Sequence, residues 1–149
     1  MIDETKCISC GACQAGCPFG AIEDISFMTK VIEELNKGEK LAAIVAPSIQ
    51  GQMGDATLPQ ILTAIRRLGF VEVVEAAIAA DVVADVESKE ILHHKQEGIK
   101  VTTSCCPAFV NMARIHFPTV YENNVSKVVS PMEAMARYLK SKDENLKVM

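Results

Sequence analysis

Four cysteines crowd the start of the chain: Cys7-Ile8-Ser9-Cys10-Gly11-Ala12-Cys13-Gln14-Ala15-Gly16-Cys17-Pro18. The spacing C-x2-C-x2-C-x3-C-P is that of thiolates holding an iron–sulfur cube. Cys7, Cys10 and Cys13 are expected to reach three iron corners of one [4Fe-4S] cluster. Cys17 is expected to point away, and in two-cluster proteins such a fourth cysteine ligates the other cluster. Pro18 then turns the chain out of the site. A disulfide knot is the competing reading, but it needs an oxidising compartment, and nothing in the chain suggests one.

A second cysteine pair, Cys105-Cys106, lies far downstream. Adjacent cysteines on a normal trans backbone do not easily bond each other, so the two side chains can do different work. One can ligate a metal while the other stays a free thiol. Such a thiol, with an ordinary pKa of ~8.5, can carry protons near neutral pH. On spacing alone, two buried structural cysteines are the readier explanation of the pair. Glu87, Glu90 and His94 form a further constellation. They are three and four residues apart and share one face of a helix, where a row of titratable groups can relay protons. A solvated helix face with ordinary surface charges is the plainer alternative. His93 and His94 near a helix end suit the helix dipole better than a metal. His116 is expected to be exposed, and the seven methionines read as core filler.

These residues need elements to carry them. Residues 1 to about 26 read as loop, with Gly11, Gly16 and Gly20 permitting tight turns around a cluster. Phe27, Val31, Ile32 and Leu35 recur at helical spacing, closed by Asn36-Lys37-Gly38. A domain boundary is expected there, dividing the chain into residues 1–37 and 38–149. The apolar run Leu41–Val45 predicts a buried strand. A helix over Leu58–Leu68, a strand over Val71–Val74 and a long helix over Ala77–His94 follow. A third strand is predicted over Ile99–Thr102, entering the Cys105-Cys106 turn. Helices near Ala108–His116 and Pro131–Lys140 come next, and Lys147-Val148-Met149 reads as a strand that has only begun. The alternation implies a parallel sheet with helices on its faces, an α/β lobe. In such sheets functional groups gather beyond the carboxyl ends of strands. Pro47-Ser48 and Cys105-Cys106 each sit at such an end and are expected to converge on one pocket.

Bulk properties exclude several classes. The chain has 149 residues, 49% hydrophobic, with no Trp and 5% aromatics, so its core must be aliphatic. The net charge of -4 argues against a nucleic-acid partner, which wants a basic face. Met1-Ile2-Asp3-Glu4 is not the start of a secretory signal, and no apolar run is long enough to span a bilayer. A reduced, cytoplasmic setting is the expectation.

The words around the second cysteine pair narrow the reading. Thr103-Ser104-Cys105-Cys106-Pro107-Ala108-Phe109 resembles the first signature of the [FeFe]-hydrogenase catalytic domain. Ala46-Pro47-Ser48, Arg67-Leu68-Gly69-Phe70, Ala79-Ala80-Asp81 and Ser130-Pro131-Met132 resemble further landmarks of that family in the same order. The ferredoxin-like run in front is the family's usual arrangement, so the resemblance covers nearly the whole chain. It is nearest to branches with multi-ferredoxin amino-terminal regions. The implied fold is an α+β ferredoxin-like [4Fe-4S] segment followed by an incomplete α/β lobe with a parallel sheet. The implied chemistry is interconversion of H2 with protons and electrons at an H-cluster, a cubane joined to a two-iron centre carrying CO and cyanide. By resemblance, Cys106 is a cubane ligand and Cys105 the thiol that shuttles a proton to the two-iron centre. Ser48 would lie near an iron-bound cyanide. Glu87 and Glu90 match the glutamates of the family's proton path. Ser126 matches the path's serine if one residue is inserted between it and Pro118. His94 stands where the family has an arginine.

Only one ligand of the catalytic cubane is present, because the family's second and third cysteine signatures have no counterpart here. The expectation is a fragment of a longer parent, inactive alone, whose redox partner is a ferredoxin or another carrier. A hydrogen or redox sensor of the same superfamily, and a plain ferredoxin fused to an inert lobe, are the alternatives. In a further one, Cys106-Pro107 supplies a remote fourth ligand to the amino-terminal cluster.

Overall fold

The computed structural model describes residues 2–149. The chain divides by its internal contacts into two units, Met1–Ile25 with Ala84–Val129, and Ser26–Val83 with Ser130–Met149.

The second unit is built on a parallel sheet. Helix α2 (Met28–Asn36) precedes strand β1 (Leu41–Val45), the run of five apolar residues, which becomes the central strand. Strand β2 (Glu72–Glu75) pairs with β1 in parallel, from Ala42 opposite Glu72 to Val45 opposite Glu75. Strand β3 (Lys147–Val148) pairs with the other side of β1, Leu41 opposite Lys147. Between β1 and β2 runs α3 (Leu58–Arg67), entered through Thr57, whose backbone N–H donates to Gln60 Oε1 at 2.8 Å. That closure satisfies one of the helix's orphan amides. Helix α7 (Pro131–Lys142) starts the same way, with Ser130 Oγ accepting the N–H of Glu133 at 3.2 Å. Its Met135 and Leu139 pack with Ala42, Ala79 and Leu146 to form the core, and Leu139 is wholly buried. Ala79 belongs to α4 (Ala76–Gln96), within which the division between units falls.

In the first unit, α1 (Ala12–Ala15) lies inside the cysteine run, and α5 (Pro107–His116) and α6 (Pro118–Asn124) follow the second cysteine pair. Both α5 and α6 have proline at their first position, where its missing N–H costs nothing.

One sequence expectation fails here. Ile99–Thr102 is not a strand of the sheet. Thr102 makes a single isolated parallel bridge to Val125, with its N–H donating to Asn124 O at 2.8 Å and its carbonyl accepting from Ser126 N at 2.9 Å. The sheet's third member is β3 instead. The apolar residues Ile99 and Val101 suggested a strand, but backbone pairing does not continue beyond this one bridge.

Among the described residues, no helix is long and apolar enough to cross a membrane.

Candidate functional site

The amino-terminal cysteines occupy a compact set of turns. Cys7 follows the turn in which its own N–H donates to Asp3 O at 2.9 Å. Gly11, between Cys10 and α1, adopts φ 74°, and Gly20, after Cys17-Pro18, adopts φ 60°. Both lie in the left-handed region that side chains resist. Gly16 sits at φ -86°, an ordinary value, so only two of the three expected glycine turns use a left-handed backbone. Cys7 and Cys13 line a cavity of about 430 Å³ together with Ser9, Gly11 and Gln14.

The sulfurs already receive amide hydrogens. Ser9 N–H donates to Cys7 Sγ at 3.4 Å, and Ala21 N–H donates to Cys17 Sγ at 3.4 Å. The amide of Ala21, followed by those of Phe19, Ile22 and Gly20, holds the Cys17 thiol below its ordinary pKa. A backbone that stabilises thiolate is what a metal ligand requires, and amide hydrogen bonds to sulfur are among the levers that tune cluster potentials. All six cysteines are free thiols. Among the described residues, no three His, Cys, Asp or Glu side chains converge as ligands of a single ion would. A cube makes no such demand, because each thiolate binds a different iron. The donor set, the positive-φ turns and the amide-capped sulfurs fit a [4Fe-4S] group.

The second cysteine pair opens α5. Cys106 is its N-cap residue, and Pro107 its first residue. Cys105 is exposed, with Thr103 Oγ1 3.7 Å from its sulfur. Helix α4 places Glu87 and Glu90 one turn apart, both half-buried. The Ser126 hydroxyl donates to Glu90 Oε2, and Lys127 N–H donates to Glu90 Oε1 at 3.3 Å. Ser126 is itself buried, at 3% exposure, and its Oγ accepts Val128 N–H at 3.1 Å. His94 Nδ1 lies 2.9 Å from Glu90 O. A carbonyl can only accept, so Nδ1 carries the hydrogen of this bond. His93 Nε2 approaches Glu97 at 3.6 Å on the exposed side.

Ser48 lies in the short 3-10 turn Pro47–Ile49, just beyond the carboxyl end of β1. It is exposed, and its carbonyl accepts Gln52 Nε2 at 2.6 Å. With Ile49, Gln52, Ile65 and Phe70 it lines a cavity of about 420 Å³.

The structure thus brings Glu90 and Ser126 into contact, although they are 36 residues apart. Ser104 is a residue that spacing could not single out. Its hydroxyl donates to Val128 O at 2.8 Å. A side chain bonded to a remote backbone carbonyl leaves no pattern in the sequence.

Residues 1–23 match the model of the 4Fe-4S binding domain. Residues 39–149 match the model of the iron only hydrogenase large subunit, C-terminal domain. Similar proteins include the NADP-reducing hydrogenase subunit HndD of Solidesulfovibrio fructosivorans, 28% identical over 136 residues, covering 80% of this chain and 23% of that protein. Iron hydrogenase 1 of Clostridium pasteurianum is 31% identical over 127 residues, covering 78% of this chain and 22% of that protein. The chain therefore spans less than a quarter of the length of these relatives. With the catalytic-domain model matched along 39–149 and the cluster motif in front of it, this chain belongs to the iron-only hydrogenase large-subunit family.

Proposed function

We propose that the chain is an iron–sulfur electron-relay segment joined to the first lobe of an [FeFe]-hydrogenase catalytic domain. Residues 1–37 form a ferredoxin-type segment, and residues 38–149 form the lobe. Cys7, Cys10 and Cys13 are its cluster thiolates, and Cys17 is a further thiolate, for a neighbouring cluster. When bound, the [4Fe-4S] group supplies one-electron transfer between an external carrier, such as a ferredoxin, and the centre that interconverts H2 with protons and electrons.

The chain's own residues then divide the work. Amides after Cys7 and Cys17 donate to their sulfurs. Cys106 supplies one thiolate to the cubane of the H-cluster. Cys105, its neighbour, is the free thiol that gives or takes a proton at Sγ. Ser48 offers a hydroxyl to an anionic iron ligand, where a charge-assisted hydrogen bond is strong. Glu87, Ser126 and Glu90 move protons between solvent and Cys105. One observation carries this reading: the buried Ser126 hydroxyl is bonded to Glu90, one turn of helix from Glu87. A solvated row of surface charges has no reason to bury a hydroxyl against one of its members.

A cubane takes four thiolates. Beyond the amino-terminal run this chain offers Cys105 and Cys106, so by itself it is expected not to turn over H2. Anaerobic reconstitution with iron and sulfide, followed by reduction and low-temperature EPR, tests the proposal. The expected result is a reduced [4Fe-4S] signal that is lost in Cys10→Ser, with no H2 evolved from reduced viologen. Material that stays colourless and takes up no iron would overturn the cluster assignment. Grafting residues 39–149 into a complete hydrogenase of the family tests the lobe. There Cys105→Ala should abolish turnover, and unchanged turnover would favour a plain electron carrier.

A further inference from the structure

Cys105 and Ser126 lie on different segments of the same unit, and one backbone bridge, Thr102 with Val125, joins those segments. A regular parallel ladder would continue on both sides of that bridge. Before it, the N–H of residue 124 would donate to the carbonyl of residue 100. After it, the backbone N–H of residue 104 would donate across to residue 126. At the first place a side chain takes over, and at the second a side chain reaches two residues further along the facing segment. Asn124 Nδ2 donates to Lys100 O at 2.7 Å, in place of its own N–H. At the other end Ser104 Oγ donates to Val128 O at 2.8 Å, and Ser126 Oγ takes the N–H of Val128. The Ser126 hydroxyl itself donates to Glu90.

We propose that Ser104 and Asn124 are positioning residues that latch the Cys105 turn to the Ser126 segment, substituting side-chain hydrogen bonds for the missing rungs. The inference rests on the proton-path reading above for its purpose, but not for its geometry. Ser104 sets the segment one residue before the thiol, and so sets how Cys105 stands relative to Ser126 and Glu90. Thr103 Oγ1 lies 3.7 Å from the Cys105 sulfur.

Amide hydrogen exchange on the full 149-residue chain tests the latch. In Ser104→Ala the amides of Thr102 and Ser126 should exchange about fivefold faster, the equivalent of one lost hydrogen bond. Ser104→Thr, which keeps the hydroxyl, should restore the original rates. Asn124→Ala, at the exposed end, should accelerate the same two amides. The sheet amides of Ala42 and Ile44 should not change in any of the three. Unchanged exchange at Thr102 and Ser126 in Ser104→Ala would overturn the proposal. So would failure of Ser104→Thr to rescue, or equal acceleration in the sheet, which would mark general destabilisation. The readout involves neither a metal nor H2. If Cys105→Ala left turnover intact in the grafted enzyme, the proton-path reading would fail while the latch stood or fell on its own exchange rates.

Discussion

The two units hold themselves together by different means. In the sheet unit, Leu41, Ala42, Val45, Ile61, Val73, Ala76, Ala79, Met135, Leu139 and Leu146 are all buried. Among the described residues of the cysteine-bearing unit the buried side chains are Ala113, Val125 and Ser126, and within residues 2–25 there are none. The first is an ordinary aliphatic core, driven by removing apolar surface from water. The second has backbone turns and polar side-chain bonds, typically worth about 0.5–1.5 kcal/mol each in net terms. On the cluster reading proposed above, thiolate–iron bonds would add the order that burial does not supply to its amino-terminal segment.

Three experiments separate the units on this basis. Loading the cluster should produce the largest change. Amide exchange within residues 2–25 should slow by roughly a hundredfold or more, as expected for a ligand present well above its dissociation constant, while β1 amides hardly change. Comparable exchange with and without iron would show that the segment has another source of order. Leu139→Ala should come next. It removes a fully buried side chain from the sheet core and should lower unfolding stability by about 2–5 kcal/mol, measured by denaturant melts. The same substitution should leave iron uptake by the amino-terminal cysteines intact.

The smallest effect is electrostatic and confined to the sheet unit. Lys147 on β3 pairs with Glu34 of α2, and Lys40 meets Asp143 at 3.2 Å. The hydrogen bond from Lys147 holds Glu34 below the usual carboxylate range, and the one from Lys40 does the same for Asp143. For a lowered carboxylate the stabilisation is complete above its unfolded pKa and is lost as pH falls through its folded pKa. The converse holds for Lys147, which Glu34 raises: its contribution is complete below the unfolded lysine value and is lost as pH rises through the folded one. Melting temperatures between neutral pH and the carboxylate range should decline less steeply in Glu34→Gln than in the parent. An identical slope would show that the pair does not contribute.

The contrast between the units also explains what could be read from the sequence. Leu41–Val45 was legible because a strand buried on both faces must be continuously apolar. Leu58 to Arg67 was legible from its spacing and its closing Gly69. The cysteine run was legible because cluster ligation is written in covalent spacing. The rest depends on contacts without local signatures. Helix α1 is four residues long, too short for any periodicity to appear. Helix α6 announces itself only by Pro118, which a loop would equally accept. Ile99–Thr102 carried the apolar pattern of a strand, yet its pairing is closed by Asn124 and Ser104 side chains, whose partners are remote carbonyls. Ser126 was found by resemblance to a family and not by any feature of its own neighbourhood.

The buried hydroxyl at position 126 imposes a direction on whatever traffic passes it. A serine oxygen has one hydrogen and two lone pairs. The hydrogen is committed to Glu90, and the Val128 amide occupies one lone pair. A single acceptor orbital remains, so a proton handed on to Glu90 through this oxygen must come in along one bearing. On the proton-path reading proposed above, the donor that hands a proton to this oxygen would have one place to bond, with the hydroxyl already aimed at Glu90.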